Sequence, residues 1–195
     1  MDLHAASLKN RYYAFRHGES LANVEGIIVS DPSVGTAMYG LSERGRQQVA
    51  RSAAELGALD ADPVIVASDF KRTVETAEII RSVLAVDSVR LDPRLRERFF
   101  GRWDGASHSC YSVAWKKDAI DPYRLVDGVE SADAVRRRMV SAVLAQEAEF
   151  SGRNVVLVSH GDPLRLLQTA FEGLDTALNR TLPFFETAGW RLLNP

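Results

Sequence analysis

NVVLVSHGDPLRLLQTAF, residues 154–171, changes character once, between Ser159 and His160. Its first part carries a continuous apolar run, Val155 to Val158, of the kind that a strand buried on both faces requires. The remainder, from His160 onward, reads as a helix. The same change recurs upstream. PVIVAS (63–68) is a second continuous apolar run, opened by a proline, and Ser68 or Asp69 can cap a helix through about Leu84 with Ala77, Ile80 and Leu84 on its inner side. RYYAFR (11–16) reads as a third strand, because Tyr12, Tyr13 and Phe15 favour extended backbone and Gly18 punctuates its end. Its helix starts after an N-cap at Ser42, carries Val49, Ala50, Ala53, Ala54 and Leu56 as an apolar stripe, and stops near Gly57.

Residues 86–91 predict a further short strand, 131–150 a long helix, and 186–192 a last strand. Strand followed by helix, three times over, predicts a three-layer α/β/α sandwich with a mainly parallel central sheet, in a single domain over residues 1–195. Sites in such sheets form at the carboxyl ends of the strands. The stretches 24–41 and 101–130 carry no such pattern and read as long loops, which inside a compact domain usually carry function.

Composition narrows the partners. With 24 Lys+Arg against 26 Asp+Glu and a formal net charge of -2, no global field draws the chain to nucleic acid or to an anionic membrane, so any basic site is local. No window reaches the length of a membrane span, and the first ten residues lack the pattern of a secretory signal. A lone cysteine, Cys110, excludes an intrachain disulfide and a thiolate zinc site, and the expected setting is cytoplasmic.

Three strand tips carry the residues a dianion needs. The first ends in Arg16-His17-Gly18, the second in Ser68-Asp69 with Arg72 one turn into the following helix, and the third in Ser159-His160-Gly161. A parallel sheet points all three toward one edge. Two arginines and two histidines gathered there repel one another unless an anion arrives, and arginine offers a planar fork matched to phosphate oxygens. The helix amino ends after Ser68 and His160 add free N–H groups and a favourable dipole. Binding alone needs no imidazole, whereas phosphoryl transfer can use one as nucleophile and also needs a proton donor. Glu97, in LRERFFGRWDG (95–105), is the best carboxylate for that task.

At this point the motifs resemble those of the histidine phosphatase superfamily, branch 1, the phosphoglycerate mutase-like group. RHGES (16–20) with Asn23, GLSERGRQQ (40–48), SDFKRTVETA (68–77), LRERFFGRWDG and VSHG (158–161) are similar to that family's signatures and stand in its order. The resemblance implies a phosphoglycerate mutase-like sandwich in which His17 is phosphorylated, Arg16, Arg72 and His160 hold the phosphoryl oxygens, and Glu97 donates the proton. It implies hydrogen bonds to the same group from Asn23 and the Gly161 backbone, and a reaction with no metal and no cofactor. The family divides into mutases and phosphatases. Its mutases carry a longer, proline-rich segment after the glutamate loop, where this chain has roughly thirty residues from Gly101 to Ser131. A phosphatase acting on a small phosphomonoester is therefore expected, with a cofactor-dependent phosphoglycerate mutase and a non-catalytic phosphate-binding or scaffold protein as alternatives. The expected partner is a small phosphorylated substrate, and a homodimer is admitted.

Other residues receive plainer readings. Ser30 and Tyr39, in the loop 26–40, are polar candidates at the pocket border. Arg94, Arg96, Arg98, Arg102, Lys116 and Lys117 could meet a second anionic group, but surface ion pairs with Glu43, Asp104 or Asp118 are the commoner fate. Trp103, Trp115 and Trp190 read most simply as packing, although Trp103 is close enough to Glu97 to line the pocket and raise that acid's pKa by desolvation. His4 is expected to be disordered with the N-terminus and His108 to open a helix rather than bind metal.

Overall fold

The computed structural model describes residues 3–4, 7–57, 59 and 63–194. Five strands form one sheet: β1 (Arg11–Arg16), β2 (Val64–Ala67), β3 (Val89–Leu91), β4 (Asn154–Ser159) and β5 (Trp190–Leu192), in the order β3-β2-β4-β1-β5. The first four are parallel, and β5 runs antiparallel along β1 at the edge. The expected strands at 86–91 and 186–192 are present only as their last three residues. Seven α-helices follow in chain order among the described residues: α1 (Leu21–Glu25), α2 (Pro32–Gly35), α3 (Glu43–Leu56), α4 (Lys71–Leu84), α5 (Tyr111–Asp118), α6 (Ala132–Glu149) and α7 (Gly161–Phe171).

Alternation along the strands builds two cores, because successive side chains leave opposite faces of a sheet. Tyr12, Ala14, Val64, Val66, Val155 and Leu157 face α6 and α7, meeting Val135, Met139, Leu164 and Leu167. Tyr13, Phe15, Ile65, Ala67, Val156 and Val158 face the other way, onto Val49, Ala53 and Leu56 of α3 and Ala77 and Ile80 of α4. Burial on both faces is what the unbroken apolar runs required. A third, smaller cluster of Ile28, Phe100, Ala114 and Val129 lies beneath the long loops, so the unpatterned stretches have a core of their own. Within them α2, α5 and two short 3-10 turns stand where featureless loop was expected.

The register of β1 against β4 decides the geometry of the edge. Arg11 pairs with Asn154 and Arg16 with Ser159, so His17 and His160 leave the sheet side by side. β2 joins the same edge, with the Ser68 N–H donating to the Val158 carbonyl at 3.0 Å. Ser42 caps α3 as expected, accepting from the Gly45 N–H. The start of α4 differs. Its N-cap is Phe70, because Ser68 and Asp69 are engaged elsewhere, by the ring of His160 and by the guanidinium of Arg96. His4 also departs from expectation: its Nδ1 lies 3.0 Å from the Phe171 carbonyl, which anchors it against the end of α7.

Candidate active site

Two glycines let the first loop reach the sheet edge. A Cβ on Gly45 would stand 2.0 Å from the Glu19 carbonyl oxygen, and one on Gly18 would stand 2.6 Å from the Gly45 carbonyl oxygen. The amino end of α3 therefore lies directly on the backbone that follows His17. The loop is closed further by Ser20, which caps α1 in a reciprocal box with Asn23.

The His17 ring is buried and its Nδ1 lies 2.7 Å from the Gly18 carbonyl oxygen. A carbonyl only accepts, so Nδ1 carries the proton and the neutral ring presents an unprotonated Nε2. Arg72 Nε lies 3.2 Å from that Nε2 and also 3.2 Å from His160 Nδ1, one N–H shared between two imidazoles. Arginine donates at any ordinary pH, so His160 accepts at Nδ1 and holds its own proton on Nε2, 3.0 Å from Ser68 Oγ. These tautomers are assigned from the hydrogen-bond network. The two imidazole rings stand 5.2 Å apart, edge to face.

Electrostatics keep both rings neutral. Burial, then the charges of Arg72 and Arg16, push the His17 pKa well below its ordinary value, against the Gly18 carbonyl bond that raises it. His160 is pushed down in the same way, by burial first and then by Arg72 and the neighbouring His17. Glu97 moves oppositely. Burial raises its carboxyl to about 7, Arg72 opposes this and the Asp162 charge adds to it. Its Oε2 lies 3.8 Å from Arg72 Nη2 and 3.9 Å from His160 Nδ1, while its Oε1 accepts from the Arg98 N–H at 2.9 Å. Glu97 is held by Arg138, whose guanidinium donates to the carbonyls of Arg94, Arg96 and Glu97 at 2.6, 2.8 and 3.1 Å.

Two guanidinium nitrogens at this edge, Arg16 Nε and Arg72 Nη1, are buried and have no hydrogen-bond partner. Elsewhere in each group, Arg16 Nη1 donates to the Phe185 carbonyl and Arg72 Nη2 to that of Val29. Orphaned buried donors are costly, and a pair of them beside an unprotonated imidazole nitrogen fits the oxygens of a tetrahedral anion. Gly161 Cα comes close behind, where an added Cβ would stand 3.3 Å from Arg16 Nε.

These groups open on a cavity of about 290 Å³. Arg16, His17, Asn23, Arg72, Glu97 and Gly161 line it, and His160 lies immediately behind, in contact with His17 and Arg72. Ser30 is not part of the lining: its hydroxyl donates to Asp104 at 2.7 Å and accepts from the Phe100 N–H at 3.0 Å, which fixes the loop and commits its one donor. Neither Tyr39 nor Trp103 is part of the lining. Trp103 packs in the small third core with Arg102 over its ring, and Tyr111 and Trp115 take the position against the cavity expected of it. The arginines around Glu97 are paired, Arg94 with Asp92, Arg96 with Asp69, Arg98 with Asp118 and Arg102 with Asp127. Lys117 is likewise paired, with Asp127. His108 does open a short 3-10 turn, yet it also reaches the lining, as do Asp162 and Phe184. The i,i+4 spacing of Tyr111 and Trp115 was a usable sign of one shared helix face. Among the described residues no group of three or more His, Cys, Asp or Glu side chains is placed to hold a metal ion, and no helix is long and apolar enough to cross a membrane.

Residues 12–195 match the family model described as histidine phosphatase superfamily (branch 1). The chain belongs to that superfamily. As a branch 1 histidine phosphatase it has relatives named for two activities. It is 32% identical to a glucosyl-3-phosphoglycerate phosphatase of Mycobacterium tuberculosis, over 94% of this chain and 85% of that one. It is 34% identical to a probable phosphoglycerate mutase GpmB of Erwinia tasmaniensis, over 87% of this chain and 78% of that one. Its fold superimposes on the solved structure of a mycobacterial glucosyl-3-phosphoglycerate phosphatase in complex with VO3, with a TM-score of 0.75 at 31% identity, over 92% of this chain and 88% of that one.

Proposed function

We propose that this histidine phosphatase hydrolyses a small phosphomonoester through a phosphohistidine on His17, with Glu97 as proton donor. The observation that carries the reading is the unprotonated Nε2 of His17 beside two buried guanidinium N–H groups that lack partners. In the first half-reaction Nε2 attacks phosphorus, the P–O ester bond breaks, and the carboxyl proton of Glu97 passes to the leaving alkoxide. A carboxyl that titrates at about 7 is still substantially protonated when this step begins. Arg16 and Arg72 would take up the charge on the transferring oxygens, His160 would join them with its proton moved to Nδ1 and the Ser68 hydroxyl donating to its Nε2, and Asn23 and the Gly161 backbone would add hydrogen bonds. In the second half-reaction water attacks phosphorus, gives its proton to the Glu97 carboxylate, and the P–N bond breaks to release inorganic phosphate and neutral His17. Cytoplasmic residence and a homodimeric assembly belong to the same proposal, and fractionation and light scattering read them.

The test is release of phosphate from p-nitrophenyl phosphate, with His17→Ala as control, together with trapping of an alkali-stable label on the protein from a radioactive donor. No His17-dependent turnover on any phosphoester would favour the non-catalytic binding protein. The relative named as a probable mutase supports a second reading. Under it, 3-phosphoglycerate would be converted to 2-phosphoglycerate in the presence of 2,3-bisphosphoglycerate, and free phosphate with no isomer would count against it.

A further inference from the structure

With Arg16, His17, Arg72, Glu97 and Gly161 assigned to the phosphoryl group, the rest of the cavity lining bears on the alcohol side of the ester. That side is walled by aromatic rings. Tyr111 and Trp115, one turn apart on α5, stack with centroids 5.3 Å apart and planes within 5° of parallel. The stack is clamped at both ends, by the edge of Phe100 at 4.7 Å from Tyr111 and by the guanidinium of Arg180 at 4.0 Å from the Trp115 ring. It is therefore a fixed wall, ready before a ligand arrives.

Three features of this wall point to one ligand chemistry. First, the indole Nε1 of Trp115 is buried and has no hydrogen-bond partner, so a donor lies idle in a residue that lines the cavity. A ligand oxygen would satisfy it. Second, Asp162 also lines the cavity, and it can accept a hydroxyl proton. Burial opposes its ionisation, but Arg180 and Arg98 overcome this and hold it charged. Third, the lining contains two guanidinium groups, Arg16 and Arg72, and both belong to the phosphoryl end. Arg180 keeps one buried N–H, Nε, without a partner, yet its charge is already met by the Asp162 carboxylate. A second anionic group on the substrate would meet, beyond the phosphoryl end, aromatic and aliphatic side chains, the His108 imidazole and a carboxylate already paired with Arg98 and Arg180, and no further guanidinium of the lining.

We propose that the alcohol released by this enzyme is an uncharged ring bearing hydroxyl groups, of the sugar type, held between the Tyr111–Trp115 wall, the free Trp115 Nε1–H and the Asp162 carboxylate. Rings of this kind offer C–H faces to aromatic groups and hydroxyls to a neutral donor and an acid, and need no cation. This inference rests on the phosphatase reading above.

The experiment compares kcat/KM for phosphate release from esters of primary alcohols: glucose 6-phosphate, mannose 6-phosphate and ribose 5-phosphate, then cyclohexylmethyl phosphate, which has a ring without hydroxyls, and 3-phosphoglycerate, which has a carboxylate. The best sugar phosphate is expected to exceed both others by at least tenfold. In Trp115→Phe, which keeps the aromatic wall and removes the N–H, the ratio of that sugar phosphate to cyclohexylmethyl phosphate is expected to fall by about tenfold. The proposal is overturned if 3-phosphoglycerate or cyclohexylmethyl phosphate equals or exceeds every sugar phosphate, or if the ratio is the same in Trp115→Phe. Failure of the phosphatase reading looks different, as no His17-dependent release from any ester, p-nitrophenyl phosphate included.

Discussion

Arg72 divides one N–H between the imidazoles of His17 and His160 and leaves Nη1 with nothing to bond. A lysine in its place would bring the charge but not the fork. Arg72→Lys is therefore expected to lower kcat/KM for p-nitrophenyl phosphate by roughly 10²–10³-fold, the scale for removing one donor to transition-state charge, with phosphate release as the measurement. Glu97 sets the second expectation at this scale. Its proton is needed for departure of the alcohol, so kcat/KM is expected to fall as pH rises through about 7. Stability follows the same proton. The folded pKa of about 7 lies above the ordinary 4.5, so the protonated group favours the fold fully below about 4.5, and this contribution is lost as pH rises through about 7. Melting curves of wild type and Glu97→Gln compared across that window check it: wild type should lose Tm relative to the variant as pH rises.

The element that most constrains the nucleophile is α3, although none of its side chains lines the cavity. Its third residue, Gly45, touches the backbone of Glu19, two residues beyond His17. The clash that a methyl group would cause there is with backbone and not with a flexible side chain, so the helix itself must shift. Gly45→Ala is expected to cost about 1–3 kcal/mol, the range for overpacking, and to lower kcat with the loop it displaces. Denaturant melts and phosphate release read the two effects separately. Ser30 teaches the complementary lesson, since its hydroxyl, bonded to Asp104, joins the loop after α1 to the turn after Glu97 and serves geometry in place of chemistry.

Across the molecule, one buried network ties the segment over the site to the sheet layer beneath. Arg98 bonds both oxygens of Asp118 at the end of α5, at 2.6 and 2.7 Å, and approaches Asp162 at the start of α7 at 3.3 Å. Its side chain and both carboxylates are buried. Removing the cation strands the Asp118 carboxylate, since Asp162 keeps Arg180 as partner, and breaking a buried pair in this way costs about 3–5 kcal/mol. Arg98→Leu should accordingly show a lowered Tm in calorimetry, and Asp118→Asn in the same background should recover part of it, because the stranded charge is then gone.

Much of this was written in local pattern. Two-faced burial leaves an unbroken run of valines and leucines, and parallel strands oblige their tips to share an edge, so the gathering of Arg16, His17, Arg72 and His160 followed once three such runs were seen. Glu97 was legible as an acid in a loop rich in arginine, and the pairing of Arg94 and Arg96 with carboxylates was the ordinary fate of surface charge, whereas the burial of the Arg98–Asp118 pair was not foreseen. The direction of loop side chains was not legible, because it depends on partners distant in the chain. Asp104 draws Ser30 away from the cavity, His160 and Arg96 take the residues expected to cap α4, and Trp103 yields its place to Tyr111 and Trp115. The half of the cavity proposed for the phosphoryl group was therefore visible from strand and motif alone. The alcohol half exists only where segments without any periodicity are brought together by contacts between remote residues, and no local pattern records those.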